Sequence, residues 1–118
     1  MKLLLDTHTF LWIATAPAYL SPAARVACQD RNNLLILSTV SVWELQIKVQ
    51  IGKLTLAVPL VTLIRNQQTV NGVQTLPVEL SHVPALDSLP LHHKDPFDRL
   101  LIAQAHIEGA TMVRHCQP

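Results

Sequence analysis

The sequence predicts an α/β fold, a mainly parallel sheet of about four strands with helices on both faces. Three observations predict it. Short unbroken apolar runs, "KLLL" at residues 2–5 and "LLIL" at 34–37, read as strands buried on both sides. Each is followed by a helix-start signal and a periodic stretch, the alternation that builds parallel sheets. Apolar residues make up 49% of the 118 and charged residues only 14%, so residues 1–118 are expected to form one domain with a substantial core.

The elements follow in order. The first strand ends at Asp6, and Thr7 or Thr9 can cap a helix through Phe10, Leu11, Trp12 and Ala14. Ser21-Pro22 pairs a cap with proline at the first helical position and predicts a helix over 22–30. Asn32-Asn33 turns the chain into the second strand. The stretch "STVSVWELQIKVQIGKL" alternates in part, as a strand would. Val40, Trp43, Ile47 and Ile51 share a helical stripe, however, Ser41-x-x-Glu44 reads as a capping box, and Gly52 is a helix stop, so a helix is expected with Trp43 in the core. Pro59 opens another helix to about residue 68, and Asn71-Gly72 is a turn. "VQTLPV" at 73–78 is a third strand that Pro77 confines to a strand end or a sheet edge. Residues 79–89 are expected as a short helix or helical turn, Asp95-Pro96 opens the last long helix, and "ATMV" at 110–113 is a fourth strand.

Charge and cysteine usage narrow the function. The net charge of +1 lacks the footprint of a non-specific DNA binder. Cys28 and Cys116 form neither a disulfide framework nor a zinc site and are read as unpaired thiols of a reducing compartment, Cys28 as a small core residue. Asp6 and His8 interrupt the N-terminal apolar stretch that would otherwise mimic a signal peptide, and no run approaches the ~20 apolar residues of a membrane span. A cytoplasmic protein, not a membrane one, is expected.

The chemistry is carried by acids in unusual places. In "DPFDRLLIAQA" at 95–105, Asp95 caps the helix, but Asp98 lies on the stripe of Leu101, Ile102 and Ala105, a face meant for burial. As the third helical residue it also suits the positive end of the helix dipole, which is the plainer reading. Parallel sheets place their sites beyond the C-terminal strand ends. Asp6 stands there after the first strand, Ser38 and Thr39 after the second with Glu44 a turn further on, and the start of the last helix reaches the same edge. Clustered carboxylates repel, so a convergence of Asp6, Glu44 and Asp98 calls for a cation, and hard oxygen ligands suit Mg²⁺ or Mn²⁺. An ion so held, with open positions, is suited to phosphodiester hydrolysis.

The motifs "LLLDTH" at 3–8, "STVSVWEL" at 38–45 and "DPFDRLLIAQA" at 95–105 resemble, in order, the leading motifs of PIN domains, and more narrowly those of the VapC-type ribonuclease toxins of bacterial toxin–antitoxin pairs. The resemblance runs over nearly the whole chain and implies a PIN-like three-layer sandwich. It implies Asp6, Glu44 and Asp98 as catalytic, metal-binding acids, Thr7 and Ser41 as hydroxyls beside them, and Arg99 where a substrate phosphate is met. It implies a Mg²⁺- or Mn²⁺-dependent endoribonuclease with RNA as substrate and a cognate antitoxin as partner. A homodimer is also expected, because amphipathic helices at 22–30 and 59–68 leave apolar surface to cover. One departure stands out. The family supplies a further acid after the fourth strand and then a final strand, whereas this chain reads "TMVRHCQP" with no acid after Glu108. The tail reads as truncated or frame-shifted, with an incomplete second metal site and weakened catalysis.

Two other functions compete. One is a degenerate, catalytically weak PIN-fold protein that only binds an antitoxin. The other is a phosphatase with Asp6 as nucleophile. Enzymes of that sort resemble haloacid dehalogenases and want a second aspartate where this chain has His8. The six histidines show no metal-ligand spacing, since His92-His93 are adjacent, and no phosphate-binding glycine motif is present.

Overall fold

The structure, a computed structural model, describes residues 1–89 and 95–114. The strands β1 (Lys2–Leu5), β2 (Leu34–Ser38), β3 (Gln74–Leu76) and β4 (Thr111–Val113) form one sheet in the order β3-β2-β1-β4, every pair parallel. The helices α1 (Thr7–Thr15), α2 (Pro22–Gln29), α3 (Thr39–Gln50), α4 (Leu60–Asn71) and α5 (Pro96–Glu108) make the connections, with short 3-10 turns at Pro17–Tyr19, Leu80–His82 and Pro84–Ser88. The α/β class and the parallel sheet are as the sequence predicts.

The pleat splits the core in two. Leu3, Leu5, Leu35 and Leu37 face one side and pack with Phe10 of α1, Leu45 of α3, and Leu63 and Ile64 of α4. Leu4 and Ile36 face the other side and meet Val40 together with Leu101 and Ala105 of α5. Neighbouring strand residues thus point into different cores, which is why the strand sequences are apolar without alternation. Cys28 packs against the first core, and burial raises its thiol pKa above the ordinary value.

Two expectations about α3 are corrected. The helix begins at Thr39, capped by Ser38, whose hydroxyl accepts the Val40 amide at 3.1 Å. Ser41 and Glu44 therefore lie inside the helix and form no capping box, and Glu44 is released from any duty at a helix end. The buried residues of α3 are Val40, Ser41 and Leu45, while Trp43 is 61% and Ile51 59% exposed. Apolar residues fall all round this helix, so their periodicity does not select a face. The face is set by tertiary packing, with Leu45 in one core, Val40 in the other and the buried Ser41 hydroxyl between them in sequence. Trp43 packs edge-to-face with Phe97, with ring centroids 5.2 Å apart.

Smaller differences have local causes. Asp6 itself, not Thr7 or Thr9, caps α1. The helix α4 runs on to Asn71 before Gly72 turns the chain at φ 64°. The third strand stops at Leu76 because Pro77 follows, and it lies at the sheet edge as expected. Residues 79–89 hold two separate 3-10 turns instead of a helix.

Gly52 ends α3 as expected. Its amide bonds the Val49 carbonyl at 3.2 Å, the Lys53 amide bonds that of Lys48 at 2.9 Å, and its φ is 78°. A Cβ at this position would meet nothing within 4 Å. Gly52→Ala is thus a test of backbone strain alone, and it should lower stability by about 1 kcal/mol in urea titration, the cost of a left-handed alanine.

Candidate active site

The C-terminal edge of the sheet carries the site. Leu5 is in register with Leu37 on one side and Val113 on the other, so the chain leaves β1, β2 and β4 at one level. The Asp6 amide continues the ladder by bonding the Val113 carbonyl at 3.0 Å. The Asp6 carboxylate turns to α1, where Oδ1 accepts the Thr9 amide at 2.7 Å. Thr9 Oγ1 donates to the Val113 carbonyl at 3.1 Å and ties this corner to β4.

Glu44 is held by the start of α1. Thr7 is almost wholly buried, and its Oγ1 lies 2.6 Å from Glu44 Oε1 and 3.1 Å from Ser41 Oγ. One hydroxyl proton cannot serve both contacts. The short contact to the carboxylate takes it, and the buried Ser41 hydroxyl is left to donate to Thr7. Lys48, one turn on, places Nζ 3.4 Å from Glu44 Oε2.

Asp98 enters from the opposite side. Asp95 caps α5 by accepting the Phe97 amide at 2.9 Å, with Pro96 at the first helical position, and Asp98 follows in the first turn. Leu101 and Ala105, on the same stripe, are buried, so the Asp98 face does turn inward. Its carboxylate receives the Arg114 guanidinium, with Nη1 3.2 Å from Oδ1 and 3.4 Å from Oδ2.

Asp6, Glu44 and Asp98 line a single cleft of about 80 Å³ together with Thr7, His8, Asp95 and Leu101. Arg99 is not among those lining residues, and its Nη2 donates to the Leu86 carbonyl at 3.2 Å, fixing the 3-10 turn to α5. His8 and Asp95 enter the cleft without having been singled out, Asp95 because its cap role had accounted for it. The Lys48 partner of Glu44 was readable from its four-residue spacing. The Arg114 partner of Asp98 depends on the β4 register, which no local pattern states. His92, His93 and Cys116 lie outside the described residues.

Apart from the imidazole of His8, the donors lining the cleft are hard oxygens, which fit Mg²⁺ or Mn²⁺. Among the described residues no three His, Cys, Asp or Glu side chains are gathered tightly enough to hold an ion as they stand. The acids share a cleft, and Lys48 and Arg114 are the cations seen on two of them.

A parallel sheet with an acid-lined cleft beyond its strand ends defines the class of architecture, and comparison with known proteins defines the family. The family model for the PIN domain matches residues 3–116. The chain is 31% identical over 111 residues to Ribonuclease VapC22 of Mycobacterium tuberculosis (strain ATCC 25618 / H37Rv), covering 93% of this chain and 83% of that protein. It therefore belongs to the PIN-domain family, in the group of VapC-type ribonuclease toxins. Two solved structures share the fold. A chain of the VapBC2 complex of Rickettsia felis, bound to a DNA fragment from its promoter, has a TM-score of 0.71 at 16% identity, over 97% of this chain and 87% of that one. A chain of a toxin–antitoxin complex from Klebsiella pneumoniae has a TM-score of 0.60 at 12% identity, over 95% and 84%.

Proposed function

We propose that this chain is a Mg²⁺- or Mn²⁺-dependent endoribonuclease, the toxin of a toxin–antitoxin pair, hydrolysing RNA phosphodiesters at the cleft of Asp6, Glu44 and Asp98. One observation carries the reading: three acids from distant parts of the chain line one cleft at the C-terminal sheet edge. A divalent ion bound there would activate a water and offset charge on the phosphate. The chain's own residues prepare the place. The Thr9 amide at the start of α1 orients the Asp6 carboxylate. The hydroxyl relay from Ser41 through Thr7 fixes Glu44. The first turn of α5 places Asp98 at the positive end of the helix, which suits an acid. Arg99, outside the cleft lining and bonded to the Leu86 carbonyl, is proposed to meet a substrate phosphate.

A cognate antitoxin is proposed as partner because both structural neighbours come from toxin–antitoxin complexes. Exposed Val26 on α2 and Val61 and Val70 on α4 support an apolar contact, with the antitoxin or in a homodimer. Among the described residues no helix is long and apolar enough to cross a membrane, and a cytoplasmic location is proposed with the family. The reading of a catalytically weak protein is favoured by one specific observation, Arg114 seated on Asp98. Nothing in the cleft favours an Asp6 nucleophile.

The test is cleavage of RNA by the purified chain. Mg²⁺ or Mn²⁺ should support it and EDTA should abolish it. Activity that persists in EDTA would overturn the metal-dependent reading, and no activity with either ion would favour the weak one.

A further inference from the structure

The residue after β4 carries a consequence for the cleft. Because Leu5 pairs with Val113, the next residue, Arg114, comes out beside Asp6 at the level where the acids meet. Its guanidinium lies within 3.4 Å of both oxygens of Asp98. A side chain bound across both oxygens of a carboxylate occupies the positions that an ion would take. Arg114 is also 45% exposed, and pairs of this kind in contact with water are weak and screened by salt. The contact therefore obstructs without sealing.

We propose that Arg114 is an internal competitor for the metal ion, holding Asp98 until a divalent ion displaces it. The inference rests on the metal-site reading above. Two of the acids that line the cleft already hold a cation, Asp98 that of Arg114 and Glu44 that of Lys48. Lys48 is the weaker obstacle, since it touches only Oε2 of Glu44, at 3.4 Å, and Oε1 is held by Thr7. Binding of the ion frees the Arg114 guanidinium beside the same cleft, where it can meet a substrate phosphate. The arginine would thus block the empty site and assist the loaded one.

The experiment is Mn²⁺ binding to the purified full chain, followed by electron paramagnetic resonance of free Mn²⁺ and by calorimetry, without RNA. Arg114→Ala should tighten Mn²⁺ binding by about 5-fold, the factor expected for release of one exposed ion pair. Arg114→Lys, which keeps the charge on a shorter side chain, should fall between. The gain must depend on Asp98, so Arg114→Ala in an Asp98→Asn background should add less than about 2-fold. An equal gain in that background would mean that only net charge matters and would overturn the proposal. Unchanged affinity in Arg114→Ala, with Mn²⁺ still binding and Asp98→Asn weakening it, would also overturn it while leaving the metal site standing. Absence of Mn²⁺ binding in every form would overturn both.

Discussion

Asp98→Asn should lower metal-dependent RNA cleavage by at least about 10²-fold while leaving the fold intact. The lower bound comes from residues that merely orient a metal's ligands, whose loss already costs about 10–100-fold. Asp98, by contrast, is proposed as a ligand itself. Asparagine keeps the size and much of the hydrogen bonding but removes the charge that attracts the ion. Stability should change little. Among the described residues the ion pair lost is with Arg114, which is nearly half exposed, and such a pair is worth less than about 1 kcal/mol. The favourable end of the α5 dipole adds at most a similar amount. Circular dichroism melting and the cleavage rate, measured on one preparation, separate the two effects. An Asp98→Asn chain that cleaves as fast as the parent would place the activity at another site or in a contaminant.

The sequence made the strands legible because β1 and β2 are buried on both faces and end where a polar residue stops the apolar run, Asp6 in one case and Ser38 in the other. The ends of helices were legible where one residue settles them, as with Ser21-Pro22, Asp95-Pro96 and Gly52. α3 was harder. Its apolar residues surround the helix, and the choice of face depends on tertiary packing of Val40 and Leu45 and on the buried contact between Ser41 and Thr7, residues 34 apart in the chain. For the same reason Trp43 was expected inside and stands outside. The three acids were legible as candidates for one cleft because Asp6 follows β1, Glu44 lies in the helix that follows β2 and Asp98 lies in the first turn of α5, all near one sheet edge. Their partners were not, since Arg114 reaches Asp98 only through the register of β4. Asp95, Asp98 and Arg114 also show how one helix start can serve as cap, candidate ligand and ion-pair partner within a single turn.

The second large effect should come from His82, away from the cleft. His82 is fully buried, and its Nδ1 accepts the Glu79 amide at 2.8 Å. A nitrogen that accepts carries no proton, so the ring proton sits on Nε2, which donates to Glu108 at 2.8 Å. The Gln104 amide packs against the same ring and donates to the Pro77 carbonyl at 3.3 Å, while its carbonyl accepts the Ser38 hydroxyl. Ser38 in turn caps α3. One buried chain of polar contacts therefore links the 3-10 turn, the middle of α5 and the start of α3, the two helices that carry Asp98 and Glu44. Among the described residues every buried side-chain polar atom has a partner, so removing one member strands others. His82→Leu fills most of the volume but leaves the Glu79 amide and Glu108 without the ring, at an expected cost of about 2–3 kcal/mol. The urea midpoint should fall accordingly with an unchanged slope. Gln104→Leu should be similarly costly, and the double variant should lose clearly less than the sum, because the two side chains belong to one network. Since the network also sets how α3 meets α5, the spacing of Glu44 and Asp98 should loosen, and metal affinity should weaken even at temperatures where His82→Leu remains folded. A His82→Leu chain within about 0.5 kcal/mol of the parent, with metal binding unchanged, would show that apolar packing alone holds these helices together.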